Sequence, residues 1–174
     1  MKVPILLHIP HSSIHIPSLE GYVVTQEQLQ SELLKLTDWH TDDLVDAQLA
    51  EFGRCLIIDC HSFPEVPLTA SFDKTSVRPD YNIGTDQFHT PSALGEASER
   101  HFKGLGHSVL IDKPYSGSIV PMMHYRKDKR VQSIMLEINR KLYLEEDSAH
   151  KSEGYEQVKS VVAGWVEVIR KEWI

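Results

Sequence analysis

The sequence has few of the features that would place the chain outside the ordinary globular proteins. Its 174 residues include only two cysteines, Cys55 and Cys60. The two lie on one predicted strand at odd and even positions, so their side chains should point to opposite faces and cannot pair with each other. Free thiols argue against a disulfide-stabilised secreted domain. We therefore expect a reducing compartment, the cytoplasm.

Long apolar runs and basic clusters are also missing. The first apolar run is broken at Pro10, so the N-terminus is expected to form neither a signal peptide nor a membrane span. A net charge of −7 without a basic cluster argues against nucleic acid or an anionic membrane as a partner. With 41% hydrophobic and 25% charged residues, residues 1–174 are predicted to form one domain with its own core. The oligomeric state is left open.

The chain does contain three apolar runs that each end in polar residues. Such runs are typical of core strands in an α/β sheet, where ligands bind beyond the carboxyl ends of the strands. The polar residues at these ends are His11, His61 and Glu137. The sequence therefore predicts that they meet at one edge of a sheet. The runs occupy residues 6–13, 54–62 and 133–140.

The segments between these runs carry the patterns of helices. Residues 25–28 fit a capping box, and residues 37–43 offer N-caps for a second helix that ends at Gly53. Thr90 is predicted to cap a third helix with Pro91 at its first position. A final amphipathic helix is predicted from apolar residues at helical spacing: Val158, Val161, Val162, Trp165, Ile169 and Trp173.

Two further strands complete the predicted sheet. They are residues 107–111 and an edge strand at residues 118–125. Residues 63–87 contain several prolines without a helical period, and a loop of that length is usually functional or carries small irregular strands. Because helices alternate with strands, the predicted fold class is α/β, with a doubly wound, mostly parallel sheet in three α/β/α layers.

Histidines at two strand ends indicate a metal site. A catalytic zinc has about three protein ligands and one position left for water, so a third ligand must come from elsewhere. Asp38 is the preferred carboxylate because it opens the helix before the strand that ends in His61. His40 and Asp42 lie in the same turn, and spacing alone does not decide among the three. We expect one zinc ion, or another divalent metal, on His11, Asp38 and His61.

Two acidic residues at the strand ends also have candidate roles. Glu137 lies within an apolar strand, where a carboxylate without a partner would be costly to bury, so a functional role is favoured over an ion pair with Arg140 or a neighbouring lysine. Asp59 precedes His61 by two residues and projects to the same strand face. It is expected either to orient a ligand histidine or to cap a loop.

Six short motifs occur in a fixed order between about residues 8 and 146: residues 9–13 (Ile-Pro-His-Ser-Ser), 37–40 (Thr-Asp-Trp-His), 58–62 (Ile-Asp-Cys-His-Ser), 78–85 (Arg-Pro-Asp-Tyr-Asn-Ile-Gly-Thr), 115–117 (Tyr-Ser-Gly) with His124, and 136–143 (Leu-Glu-Ile-Asn-Arg-Lys-Leu-Tyr). They resemble the N-formylglutamate amidohydrolase family, which is distantly similar to zinc carboxypeptidases and aspartoacylases. The resemblance implies a zinc-carboxypeptidase-like fold. Ile14 stands where the carboxypeptidase His-x-x-Glu pair has its glutamate, which is why Asp38 is the inferred substitute.

The resemblance also implies an activity, the zinc-dependent hydrolysis of a small N-acyl amino acid such as N-formylglutamate. Glu137 would be the general base. Arg78 matches the family's Arg-x-x-x-x-x-Gly-Thr element and would hold the substrate's carboxylate through two hydrogen bonds. His124 and Tyr115 would donate to the developing oxyanion. Arg140 would be a second carboxylate contact or a partner of Glu137.

Two other classes of function remain as alternatives. A serine hydrolase could use Ser12 or Ser62, although neither lies in a Gly-x-Ser-x-Gly elbow and each follows a histidine that points to the other face of an extended strand. A binding protein could keep the fold and a carboxylate pocket without catalysis. Activity that a chelator removes and zinc restores would separate the amidohydrolase from both.

Overall fold

The computed structural model of the protein describes residues 3–8, 25–29, 41–67, 73–145 and 150–174, with the backbone alone of residues 41 and 42. Within these residues, five strands form one sheet in the order β1-β2-β5-β3-β4. The strands are β1 (Ile5–His8), β2 (Cys55–Phe63), β3 (Tyr81–Gly84), β4 (Val109–Ile111) and β5 (Val131–Asn139).

The sheet is mixed but mostly parallel. Strand β2 pairs in parallel with both β1 and β5, and β3 pairs in parallel with β4, whereas β3 runs antiparallel to β5. The predicted α/β class is thus confirmed. Because β3 is reversed, its amino end lies at the same edge of the sheet as the carboxyl ends of β1, β2 and β5. We call this edge the carboxyl edge.

Helices cover both faces of the sheet, as predicted for three layers. They are α1 (Thr41–Phe52), α2 (Ser92–Gly104) and α3 (Tyr155–Trp173), and a short 3₁₀ helix spans Arg140–Leu142. Val45 of α1 packs on one face, the α1 face. Phe102 of α2 and Trp165 of α3 pack on the other, the α2–α3 face. The Trp165 indole N–H donates to the Ser98 hydroxyl at 2.8 Å, which ties α2 to α3.

Strand β2 reads as an unbroken apolar run because both of its faces are covered. Leu56 and Ile58 join the core on the α2–α3 face, and Cys55 and Ile57 join the core on the α1 face. Each fully buried aliphatic side chain of this kind contributes about 1.5–3 kcal/mol. Cys60 packs on the α2–α3 face, opposite Cys55, and both thiols are free, as predicted.

Two of the three helix starts predicted from capping residues have their caps within the described residues, and the outcomes differ. The capping box is confirmed: the Thr25 backbone N–H donates to Gln28 Oε1 at 3.0 Å, and the Gln28 N–H donates to Thr25 Oγ1 at 3.2 Å. The prediction for Thr90 is wrong. Helix α2 begins at Ser92, and the Thr90 hydroxyl instead donates to the carbonyl of Ser133 on β5 at 2.6 Å. A hydrogen bond to the sheet therefore replaces the expected cap.

The predicted edge strand at residues 118–125 is also wrong. This segment pairs with no strand within the described residues; it turns at Pro121, whose carbonyl accepts the N–H of Tyr125 at 2.9 Å. Its apolar residues Ile119 and Val120 pack on the α1-face core instead. The long segment at residues 63–87 contains β3, so a small strand, one of the possibilities predicted for it, is present; its place inside the sheet between β5 and β4 was not predicted. None of the described helices is long and apolar enough to cross a membrane.

Candidate active site

The parallel strands bring four of the chain's polar side chains together on the α1 face at the carboxyl edge. In the β1–β2 register His8 is the partner of Asp59, and in the β2–β5 register His61 is the partner of Glu137. Register partners stand side by side on one face, and Asp59 and His61 share that face because they are two residues apart. The predicted shared face of Asp59 and His61 is confirmed.

Asp59 bridges two histidines. Its Oδ1 lies 3.0 Å from His8 Nδ1, and its Oδ2 lies 3.0 Å from His61 Nε2. Only 2% of the residue is exposed. Burial disfavours the charged carboxylate, but the hydrogen bonds from His61 and His8 outweigh this effect and lower the pKa of Asp59 below its ordinary value. Asp59 is therefore ionised at neutral pH, and both histidines donate to it.

The contact with Asp59 also fixes the chemistry of His61. The hydrogen bond to Asp59 is the main cause of a raised His61 pKa, with burial acting against it. When the neutral ring donates from Nε2, its lone pair is on Nδ1. A carboxylate that holds the far nitrogen of an imidazole in this way is the arrangement that orients metal-ligating histidines. The contact between Asp59 Oδ2 and His61 Nε2 therefore supports the prediction that Asp59 orients His61.

Glu137 is a buried carboxylate beside His61. The residue is 6% exposed, and its Oε2 is buried without a hydrogen-bond partner among the described residues. Burial raises its pKa to about 7, although the positive charge of His61 acts in the opposite direction. A carboxyl group with a pKa near the working pH is suited to accept and return a proton.

Arg140 is not the partner of Glu137. Its Nε donates to Ser62 Oγ at 3.1 Å and its Nη2 to the Ser62 carbonyl at 3.2 Å. Arg140 is exposed at the carboxyl edge, directly after β5. Its charge is near enough to favour the ionised form of Glu137. The arginine is thus positioned by Ser62, and its remaining N–H groups can face a ligand.

Arg78 reaches the carboxyl edge because it precedes the reversed strand β3. It is 5% exposed, with Nη1 donating to the Tyr115 hydroxyl at 3.1 Å and Nη2 to the Asp73 carbonyl at 3.0 Å. Its Nε is buried without a partner among the described residues. The guanidinium carbon lies 5.6 Å from the ring centroids of both Phe63 and Tyr115. Arg78 is therefore a fixed, buried cation with a spare donor.

Asn82 positions Tyr115 and was given no role by the sequence analysis. It is the β3 register partner of Glu137, and its Oδ1 accepts the Tyr115 backbone N–H at 2.9 Å. Nothing local marks this asparagine as special, because its importance comes from the β3–β5 pairing. The structure thus brings together His61, Glu137, Arg78 and Tyr115 at one edge, with Arg140 at its rim.

His124 has a different neighbour. Its Nε2 lies 3.0 Å from Asp46 Oδ1 on α1. None of the described contacts joins His124 to His61 or Glu137. Its predicted oxyanion role stays a prediction.

The predicted metal ligands are described only in part. His11 and Asp38 lie outside the described residues, as does His40, and only the backbone of Asp42 is described. Within the described ranges, no group of three histidine, cysteine, aspartate or glutamate side chains could hold a metal ion. What is described still fits a zinc site that takes its other ligands from elsewhere, because His61 is oriented by a carboxylate and the adjacent Glu137 has an oxygen without a partner.

Comparison with known proteins gives the family. The model of the N-formylglutamate amidohydrolase family matches residues 45–144, which contain His61, Arg78, Tyr115 and Glu137. No curated protein sequence matches the chain.

Two solved structures share the fold. One is N-formylglutamate amidohydrolase from Ralstonia eutropha JMP134, with 19% identity and a TM-score of 0.59 over 84% of this chain and 51% of that one. The other is a gene product of Agrobacterium tumefaciens, with 17% identity and a TM-score of 0.51 over 94% of this chain and 61% of that one. The chain thus spans 51% and 61% of the two proteins it matches. By the family match, the chain belongs to the N-formylglutamate amidohydrolase family.

Proposed function

We propose that the protein hydrolyses the amide bond of a small N-acyl amino acid such as N-formylglutamate, with Glu137 as general base. The observation that carries this proposal is the buried Glu137 carboxylate, which has His61 as its neighbour, a pKa of about 7 and one oxygen that finds no partner in the part of the chain that the structure describes. A structural carboxylate at this depth would have a hydrogen-bond partner.

Amide hydrolysis consumes one water and needs a proton moved twice. Glu137 takes a proton from the attacking water as its oxygen bonds to the acyl carbon. The protonated Glu137 then gives that proton to the departing nitrogen, which leaves as an amine while the acyl group leaves as a carboxylic acid. A carboxylate with a pKa near neutrality can accept the proton from water and also donate it to the nitrogen, because neither its protonated nor its ionised form is strongly favoured at the working pH.

The proposal includes zinc, held by His11, Asp38 and His61, with His40 and Asp42 as the alternatives to Asp38 and another divalent metal as the alternative to zinc. When bound, the metal lowers the pKa of a coordinated water toward about 7 and polarises the carbonyl. Asp59 would hold His61 so that its Nδ1 lone pair faces the ligand. This part rests on the resemblance and on the oriented state of His61.

Arg78 and Tyr115 are proposed to bind the substrate. The spare Nε of Arg78 can donate to the substrate's carboxylate in a site where burial strengthens the interaction. The Tyr115 hydroxyl accepts from Arg78, so its own proton is free to be donated to the carbonyl oxygen as negative charge develops there. Arg140 is the proposed second carboxylate contact, and His124 stays a candidate oxyanion donor.

The described contacts give no support to Ser62 as a nucleophile. Its hydroxyl accepts from Arg140, and its side chain points to the face opposite His61. Ser12 lies outside the described residues.

The proposed function is tested by assaying hydrolysis of N-formylglutamate by the purified protein before and after chelation and after zinc is restored. We expect activity that the chelator removes and zinc restores. Activity that persists after complete metal removal would favour a serine hydrolase. Tight binding of N-formylglutamate without turnover in the zinc-loaded protein would favour the binding protein.

A further inference from the structure

His8 is a residue to which neither the motifs nor the family match assigns a role. It ends β1, and its side chain is 12% exposed on the α1 face. Its Nδ1 lies 3.0 Å from Asp59 Oδ1, the oxygen that His61 does not use. His8, Asp59 and His61 therefore form a continuous hydrogen-bonded chain across two strands.

This chain removes a freedom that Asp59 would otherwise have. A carboxylate bonded through one oxygen can turn about its terminal bond, because that torsion is broad and roughly two-fold. With each oxygen held by a different histidine, the carboxylate plane is fixed. The ring that Asp59 orients is then fixed as well, and a misplaced group in a catalytic site has large effects on rate.

We infer that His8 is a positioning residue, which holds Asp59 so that Asp59 keeps His61 in one tautomer and one orientation. The inference rests on the proposed function for its consequence in catalysis, but the orientation of His61 can be measured without it. His8 touches neither substrate nor reacting atoms in this account. It acts through Asp59.

A merely structural role for His8 would have different consequences. Strand β1 is four residues long and lies at the sheet edge, so the contact with Asp59 could serve only to anchor the strand. In that case loss of His8 would lower stability and leave the His61 ring unchanged. The two roles are separated by observing the ring itself.

The experiment uses ¹⁵N-histidine NMR on the metal-free protein at alkaline pH, where the His61 ring is neutral and its tautomer can be read, and compares His8→Leu with His8→Asn. The asparagine amide can replace the Nδ1 donor, whereas leucine cannot. We expect the parent to show His61 in a single Nε2–H form, His8→Leu to lose that single form, and His8→Asn to restore it.

A matched control comes from a second histidine–aspartate pair. His107 Nδ1 lies 3.7 Å from Asp80 Oδ2, and the His107 side chain is 17% exposed. His107→Leu removes an equivalent side chain outside the site and should leave the His61 signals as in the parent. Where His8→Leu fails to fold, His8→Gln replaces it, because its amide takes the place of Nε2 and does not match Nδ1.

Zinc affinity, measured by competition with a chelator, is the second readout. Substitution of a residue that holds a ligand histidine typically lowers metal affinity by about 10- to 100-fold. His8 acts one contact further away, so His8→Leu should lower zinc affinity by about 10-fold. His8→Asn should restore most of it. Unchanged His61 signals in a folded His8→Leu would overturn the inference. A parent that binds no zinc would contradict the proposed function, while the NMR comparison would still decide the role of His8.

Discussion

Glu137 of β5 and His61 of β2 are register partners on the α1 face of the sheet. Burial raises the pKa of Glu137 to about 7, and the charge of His61 limits that rise. The two strands thus place a candidate proton acceptor beside a candidate metal ligand, at the edge of the sheet where α/β proteins bind their ligands.

The buried carboxylate should make the metal-free protein less stable at neutral and alkaline pH than at acidic pH. Because the folded-state pKa of Glu137 is raised from 4.5 to about 7, the folded protein holds this proton more tightly than the unfolded chain does. The stability that the folded protein gains from binding this proton is complete below about pH 4.5 and is lost as the pH rises to about 7. The loss is about 3 kcal/mol.

Glu137→Gln removes this titration, so its stability relative to the parent, the difference in the free energy of unfolding, should be greater at pH 8 than at pH 5. Urea unfolding with a chelator present measures the difference. The exposed Glu96, which pairs with Arg100, gives the control Glu96→Gln, which should show little pH-dependent difference. Equal differences at both pH values for Glu137→Gln would contradict the raised pKa.

Loss of the proposed ligands should lower zinc affinity without unfolding the protein. His11→Ala, Asp38→Ala and His61→Ala should each abolish or weaken tight zinc binding, because strand-end residues contribute little to the core. Metal analysis of each purified variant checks this. A full equivalent of zinc in His11→Ala or His61→Ala would rule that residue out as a ligand. Weakening by His40→Ala or Asp42→Ala in place of Asp38→Ala would identify a different residue of that turn.

Arg78→Ala should mainly raise KM. It would remove the proposed buried, charge-assisted hydrogen bond to the substrate's carboxylate, which would be worth about 2–3 kcal/mol, or about 30- to 150-fold. Steady-state kinetics on N-formylglutamate and on its neutral amide analogue measure this effect. The neutral analogue should be insensitive to the change. Arg170→Ala, which removes an arginine paired with Glu167 on α3, is the control and should alter neither substrate.

Equal losses of kcat/KM on N-formylglutamate and on its neutral analogue would show that Arg78 supports the site without binding the carboxylate.

The two thiols should resist alkylation in the folded protein. Burial raises the pKa of Cys55 to about 12; burial, with the charge of Asp59, raises that of Cys60 to about 11. At pH 8 the thiolate fraction is then on the order of 10⁻³ or less, and thiolate is the reactive form. Mass spectrometry after iodoacetamide treatment should find neither modified, and both modified in denaturant. Fast labelling of folded Cys55 would contradict its place in the α1-face core.

The strands that carry the site were predictable because a strand that is buried on both faces has a continuous run of apolar residues in its sequence. The apolar runs of β2 and β5 stop where His61 and Glu137 face the edge, so both residues could be found from hydropathy alone. By contrast, Ile119 and Val120 are apolar because they pack on the core, although their segment pairs with none of the described strands. An apolar sequence indicates that residues are buried, but it does not show whether they form a strand. This is why residues 118–125 were mistaken for a strand.

Two contacts of the site depend on pairings that no local pattern reveals. Strand β3 is four residues long and follows a proline-rich segment, and only its antiparallel pairing with β5 brings Arg78 to the carboxyl edge. His8 lies inside an apolar run, and only the β1–β2 register sets it beside Asp59. Sequence periodicity indicates which residues share a face of a strand, but it does not indicate which strand lies beside it.

The most direct test of the account is the turnover of N-formylglutamate by Glu137→Gln at measured zinc content. Glutamine keeps the shape of the side chain but cannot accept the proton, so kcat should fall by roughly 10²-fold or more while KM changes little and a full equivalent of zinc stays bound. Hydrolysis at the parent rate by the zinc-loaded variant would contradict the assignment of Glu137 as the general base.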